Sequence, residues 1–151
     1  MDNRDFLTII ESIKSLRTTV EDALKGTQSK SDPYQSEKVH ELYASLALAQ
    51  SKLPAVKNNK VNPWFESPYV DIFEISRTVY PILGSEGLSI SQQTRVTDNG
   101  GTVLYTRLCH SSGQWTESRL RVIPPKNDID SFKSTFNSLR STALLSILGV
   151  G

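Results

Sequence analysis

Leu88 to Ile123 reads LSISQQTRVTDNGGTVLYTRLCHSSGQWTESRLRVI, and its period decides the fold. Apolar residues alternate with polar ones along LSISQQTRV, TVLYTRLCH and WTESRLRVI, and DNGG and SSG interrupt them as hairpin turn signals. The pattern predicts a three-stranded antiparallel meander. Register then sorts the side chains. Three-residue loops ending in a left-handed glycine at Gly100 and Gly113 set Thr97 opposite Gly101 and His110 opposite Gln114. Even positions, Leu88, Ile90, Leu104, Leu108, Leu120 and Val122, then share an apolar face that must meet helices. Odd positions, Arg95, Tyr105, Arg107, Trp115, Arg119 and Arg121, share the other face. Two-residue loops would mix the two sets, which favours the longer turn.

Helical periods flank the meander. From Asp5 to Lys25, Phe6, Ile9, Ile10, Ile13, Leu16, Val20, Ala23 and Leu24 recur at helical spacing, with Gly26 as a stop. Val39, Leu42, Tyr43, Leu46, Ala49 and Leu53 form a second stripe. Together these predict an N-terminal helical hairpin over residues 1–53, serving either packing or oligomerisation, ahead of a core over residues 54–151. A third helix is expected to start with Ser67 as cap and Pro68 at its first position, and to kink or end at Pro81. Its apolar face is Ile72, Ile75, Val79, Ile82 and Leu83. A last helix runs from about Asp128 to Leu148, where Asp128 and Asp130 suit the positive end of the dipole. The class is α+β: a β-meander packed on helices.

Composition narrows the function. The chain of 151 residues carries a formal net charge of +1, so an average basicity toward nucleic acid is lacking. A nucleic-acid protein needs a local positive field, and the four arginines between Arg95 and Arg121 supply a candidate. A single cysteine, Cys109, cannot form an internal disulfide. The first residues show no signal peptide, and no apolar run is long enough to span a membrane. The expectation is a cytoplasmic protein away from membranes. Two histidines and one cysteine form no metal-ligand spacing, and nucleotide-loop and nucleophile-elbow motifs are absent. Cys109 and His110 are strand neighbours pointing to opposite faces, so they cannot pair. The sequence therefore predicts a binding protein with no catalytic residues, no metal and no cofactor.

The odd face carries two readings. Arginines and aromatics on one sheet surface suit phosphates and stacked bases. Exposed sheet faces also carry charge merely because they are solvated. The stretch VKNNKVNPWFESPYVDI, Val56 to Ile72, poses the same choice for Lys57, Lys60 and Trp64. Trp64 can stack on a base or pack on the core.

Four segments resemble the Erf (essential recombination function) family of phage-type single-strand annealing proteins. KNNKVNPWFESPYVDI is similar to its N-P-x-F-x-S-x-Y segment, and PILGSEGLSISQQ to its helix end, glycine-leucine turn and first strand. LCHSSGQWTES resembles its H-x-S-G-[EQ] hairpin, and FNSLRSTALLSILGVG its terminal helix. The resemblance covers about Val56 to Gly151. It departs at the end: Arg140 matches one of two paired arginines, while Ser141 and Thr142 stand where an arginine and a tyrosine are expected. SFKSTFNS replaces a glycine-rich helix start, leaving Lys133 to substitute in part.

The resemblance implies ATP-independent binding of single-stranded DNA and annealing of complementary strands by a homo-oligomeric ring or filament. It also implies a partner exonuclease and a single-strand-binding protein. On that reading Arg95, Arg107, Arg119, Arg121 and Arg140 hold phosphates, with Lys57, Lys60 and Lys133 beside them and Trp64, Tyr105 and Trp115 as candidate platforms. The alternative is a non-enzymatic protein-interaction module with a solvated basic sheet face.

Overall fold

A computed structural model describes residues 3–27, 33–55, 60–61, 68–69 and 71–150. The elements are α1 (Asn3–Thr27), α2 (His40–Lys52), β1 (Lys60–Val61), β2 (Pro68–Tyr69), α3 (Ile72–Ser85), β3 (Leu88–Val96), β4 (Thr102–His110), β5 (Trp115–Val122) and α4 (Ile129–Leu148). This is the expected α+β class, with a three-stranded antiparallel sheet in the order β3-β4-β5. Among the described residues, no helix is long and apolar enough to cross a membrane.

The predicted register is the observed one. Arg95 pairs with Val103, Tyr105 with Arg119, and Arg107 with Glu117. Thr97 N–H donates to the Gly101 carbonyl at 2.8 Å and His110 N–H to the Gln114 carbonyl at 2.8 Å. Gly100 and Gly113 take φ of 79° and 88°, the left-handed conformation that closes a three-residue hairpin.

The even face is the floor of the core. Leu88 and Leu108 pack with Leu42, Leu46 and Ala49 of α2, with Ile75, Val79 and Leu83 of α3, and with Leu144 and Leu148 of α4. Leu104 and Val122 meet Ala143, with Phe132 and Phe136 alongside. Truncating a fully buried leucine such as Leu144 to alanine costs about 2–5 kcal/mol in cores of this kind.

The compact units are Met1–Pro33 and Tyr34–Gly151, so α2 shares a unit with the sheet. The reason is that α2 buries Leu42, Leu46 and Ala49 in the core and lacks a cap of its own. Val39 supplies no side-chain cap, so the Gln114 side chain accepts from Glu41 N and Leu42 N at 2.9 and 3.1 Å. A residue of the second hairpin thereby satisfies two orphan donors of a helix some 70 positions earlier.

The start of α3 is a correction. Pro68 does not open the helix, because Pro68 and Tyr69 pair as β2 with Val61 and Lys60 of β1. Asp71 is the cap, its Oδ1 accepting from Phe73 N at 2.9 Å. Ser67 lies outside the described residues. α3 runs through Pro81 to Ser85, so of the two expectations at Pro81 the helix does not end there. Proline removes one backbone hydrogen bond there, but burial of Val79 and Leu83 on either side holds the helix.

Candidate nucleic-acid interface

Alternation along β3, β4 and β5 turns the odd positions away from the helical side. They form two linked rows across the strands. In the first, the Arg95 guanidinium lies 4.5 Å from the Tyr105 ring centroid, and Arg119 lies 5.4 Å from the same ring. Arg119 also sits 4.3 Å over Tyr34. Cations and rings thus alternate as Arg95, Tyr105, Arg119 and Tyr34. In the second row Arg107 lies 4.0 Å over Trp115.

Glu117 ties the rows together. Its Oε2 accepts from Arg107 Nη2 at 2.8 Å and from Arg107 Nε at 2.9 Å. Its Oε1 accepts from Arg119 Nε at 2.9 Å. The Glu117 side chain is only 3% exposed, so the carboxylate is sunk between two guanidinium planes. One negative charge therefore offsets part of the field of Arg107 and Arg119 and fixes how both are presented. A cleft of about 60 Å³ opens beside them, lined by Ser91, Gln93, Arg95, Tyr105, Arg107 and Glu117. Arg121 is exposed further along β5, at a shallow depression shared with Thr97, Asp98, Asn99 and Val103.

Tyr34 was missed by sequence reasoning because it lies between the two N-terminal helical stripes, where no period runs. The chain at Tyr34–Ser36 lies along the free edge of β5. Ser36 N–H donates to the Trp115 carbonyl at 2.8 Å, and Glu117 N–H to the Tyr34 carbonyl at 2.7 Å. Trp115 N–H donates in turn to Ser36 Oγ at 2.9 Å. Three residues give too short a period to recognise as a strand. The Glu117 pairing, by contrast, was implicit in the register: if His110 opposes Gln114, Arg107 must oppose Glu117 across the ladder.

The other predicted site residues are dispersed. Arg140 is on the helical side of the sheet, where its Nε donates to Gln92 Oε1 at 3.1 Å. Gln92 Nε2 donates to the Arg140 carbonyl at 2.9 Å and to Thr106 Oγ1 at 3.1 Å. That reciprocal bonding makes Arg140 a tie between α4 and β3 rather than a neighbour of the odd-face arginines. Lys133 is exposed on α4. Lys60 is exposed on β1 with Nζ 3.8 Å from Asp71 Oδ2. Lys57 and Trp64 lie outside the described residues.

Tyr105 and Trp115 are half-buried beneath arginines, so a base can reach these rings only beside or in place of a guanidinium. Cys109 shares the odd face, and burial pushes its thiol up from the ordinary value despite the Arg107 charge. His110 accepts from Ser112 N at 3.1 Å within the hairpin turn, which identifies it with turn structure. Among the described residues, no three His, Cys, Asp or Glu side chains gather as a metal site.

The geometry can be set beside known proteins. A family model described as ERF superfamily matches residues 42–139. The match begins inside α2, upstream of Val56 where the motif resemblance starts, and stops one residue before Arg140. No curated protein and no solved structure matches the chain.

Proposed function

Since the chain belongs to the ERF superfamily, a family of phage-type recombination and annealing proteins, we propose that it binds single-stranded DNA on the odd face of the sheet and anneals complementary strands without ATP. The observation that carries this is the row of Arg95, Tyr105, Arg119 and Tyr34 joined through Glu117 to Arg107 and Trp115. Arg121 extends the cationic surface at the β5 end.

Annealing asks for a particular balance. Phosphate charge must be neutralised enough to bring two strands together, yet the grip must be weak enough to release paired product. Four arginines on one face supply the first requirement, and Glu117 tempers it. Bases remain free to pair because arginines cover the ring faces that would otherwise stack them. Base pairing then supplies specificity and driving force. No bond is made or broken, so the activity calls for no nucleophile, metal or nucleotide.

Size argues for several copies acting together. Strands about 4.8 Å apart make the face, with its Tyr34 edge, roughly 14 Å wide. That accommodates only a few nucleotides, whereas a stable duplex needs many more. We therefore place successive copies in a ring or filament, with their odd faces in line. Such a protein works on single strands made by a partner exonuclease and covered by a single-strand-binding protein, in a cytoplasmic setting. Lys60 and Lys133 are candidate secondary phosphate contacts, as are Lys57 and Trp64 of the Val56–Tyr69 stretch.

A fluorescence-anisotropy titration with a labelled oligothymidine across a salt series tests the reading. Binding should weaken with a log–log salt slope of about −0.7 per phosphate neutralised. Arg107→Ala combined with Arg119→Ala should remove binding and annealing together. Undetectable binding at low salt, or binding indifferent to that double substitution, would leave the alternative of a protein-interaction module with a solvated basic face.

A further inference from the structure

We infer that α1 is a self-association helix whose partner is α1 of further copies of this chain, assembled as a bundle of three or more. The helix lies outside residues 42–139, so the family match does not account for it. It is 25 residues long, about 37 Å at 1.5 Å per residue. In proteins most helical stability comes from packing an amphipathic face rather than from propensity.

That face is exposed. Phe6, Ile9, Ile13, Leu16, Val20 and Leu24 retain between 47% and 65% of their accessible surface. Their spacing is a heptad: Phe6, Ile13 and Val20 fall at one seam position and Ile9, Leu16 and Ala23 at the other. A 3-4 alternation of this kind is self-complementary, because knobs from one helix fit holes between the same residues on another. The charges permit like copies to meet. Arg4, Lys14, Arg17 and Lys25 balance Asp5, Glu11, Glu21 and Asp22, so the helix has no net charge to repel its copy.

The flanks point beyond a dimer. On one side of the seam stand Ile10, Arg17 and Leu24, the two apolar residues one heptad either side of the arginine; on the other stand Asp5, Ser12 and Thr19. Ser12 Oγ donates to the Thr8 carbonyl at 2.9 Å and Thr19 Oγ1 to the Ser15 carbonyl at 3.0 Å. With their hydroxyls already bonded within the helix, these small residues can be covered without leaving a polar group unsatisfied. Two helices can meet on the seam alone. Such a pair would leave Ile10 and Leu24 at its margin. Three or more copies seat Ile10 and Leu24 of one helix against Ser12 and Thr19 of the next.

The test is the mass of the full chain, without DNA, by sedimentation velocity at micromolar concentration. The expected result is three or more copies for the wild-type chain. Ile13→Asp with Leu16→Asp should at least halve that mass and lower helical circular dichroism. Leu16→Asn should give the same direction with a smaller shift. The Trp fluorescence melt, which reports the Tyr34–Gly151 unit, should stay unchanged in each, separating lost association from failed folding. Arg107→Ala with Arg119→Ala should keep the wild-type mass, so the fate of the DNA reading is read independently. A monomeric wild-type chain, or an unaltered mass in the Ile13→Asp, Leu16→Asp variant, would overturn the proposal.

Discussion

Arg107 and Glu117 face each other across β4 and β5 with Nη2 and Oε2 2.8 Å apart, and the carboxylate is 3% exposed. Glu117 therefore has two opposed effects: it holds the arginines in place and reduces their field. Glu117→Ala leaves two partly buried guanidinium groups without their common acceptor. Because both arginines retain solvent access, the loss should be about 1–3 kcal/mol, below that of a fully buried pair. Urea unfolding measures it. Glu117→Gln keeps the shape and one acceptor oxygen while removing the charge. It should bind single-stranded DNA more tightly at low salt and release annealed product more slowly, visible as a burst followed by slow turnover in a strand-annealing assay.

Arg121 and Arg107 should separate binding from stability. Arg121 is exposed at the β5 end, whereas Arg107 is half-buried between Trp115 and Glu117. Arg121→Ala should weaken DNA binding and reduce the salt slope by about 0.7 with no change in melting temperature. Arg107→Ala should lower both affinity and stability, the latter by about 1–2 kcal/mol. Parallel anisotropy and thermal melts on the two variants decide it.

Tyr34 tests the role of the edge segment. Its ring sits under Arg119 while its backbone covers the edge of β5. Tyr34→Phe keeps the stacking surface and should behave as wild type. Tyr34→Ala should cost about 0.5–1 kcal/mol and loosen Arg119, with a loss of DNA affinity smaller than that of Arg119→Ala. Equal affinity in all three proteins would remove Tyr34 from the interface.

Gly100 and Gly113 underlie the register, and their conformation gives a direct check. A Cβ at either position meets nothing within 4 Å, so alanine there is opposed only by the positive φ. Gly113→Ala should destabilise by about 1–2 kcal/mol without altering the sheet. Gly100→Ala should do the same, read by denaturant unfolding with an unchanged far-ultraviolet spectrum.

This dependence explains what the sequence could disclose. Turn glycines and strict alternation are local signals, so they located β3, β4 and β5 and sorted Arg95, Arg107, Arg119 and Arg121 onto one face. Long-range contributions were hidden. The capping of α2 by Gln114 spans more than 70 positions, so nothing near α2 announced that it belonged to the core. Tyr34 reached β5 through three residues without a period. Pro68 looked like a helix start because proline suits a first helical position, yet its own missing N–H equally suits the short β2 pairing. Arg140 was grouped with the sheet arginines by motif alone, and only packing revealed its bond to Gln92 on the helical side.

Asp128 supplies a pH signature for α4. Its Oδ1 accepts from Ser131 N at 2.8 Å and its Oδ2 from Ser131 Oγ at 2.9 Å. The backbone N–H of Ser131, then its hydroxyl, hold the Asp128 carboxyl below its ordinary 3.8. A carboxylate depressed on folding contributes stability that is fully present above the unfolded value. That contribution disappears as pH falls through the lower, folded value. Asp128→Asn keeps an oxygen to cap the helix but has no charge to lose. The wild-type protein should therefore melt above the variant from about pH 5 upward, with the gap narrowing below about pH 4. Paired thermal melts from acid to neutral pH measure it. A gap that persists unchanged into strong acid would mean that the cap acts by geometry rather than by charge.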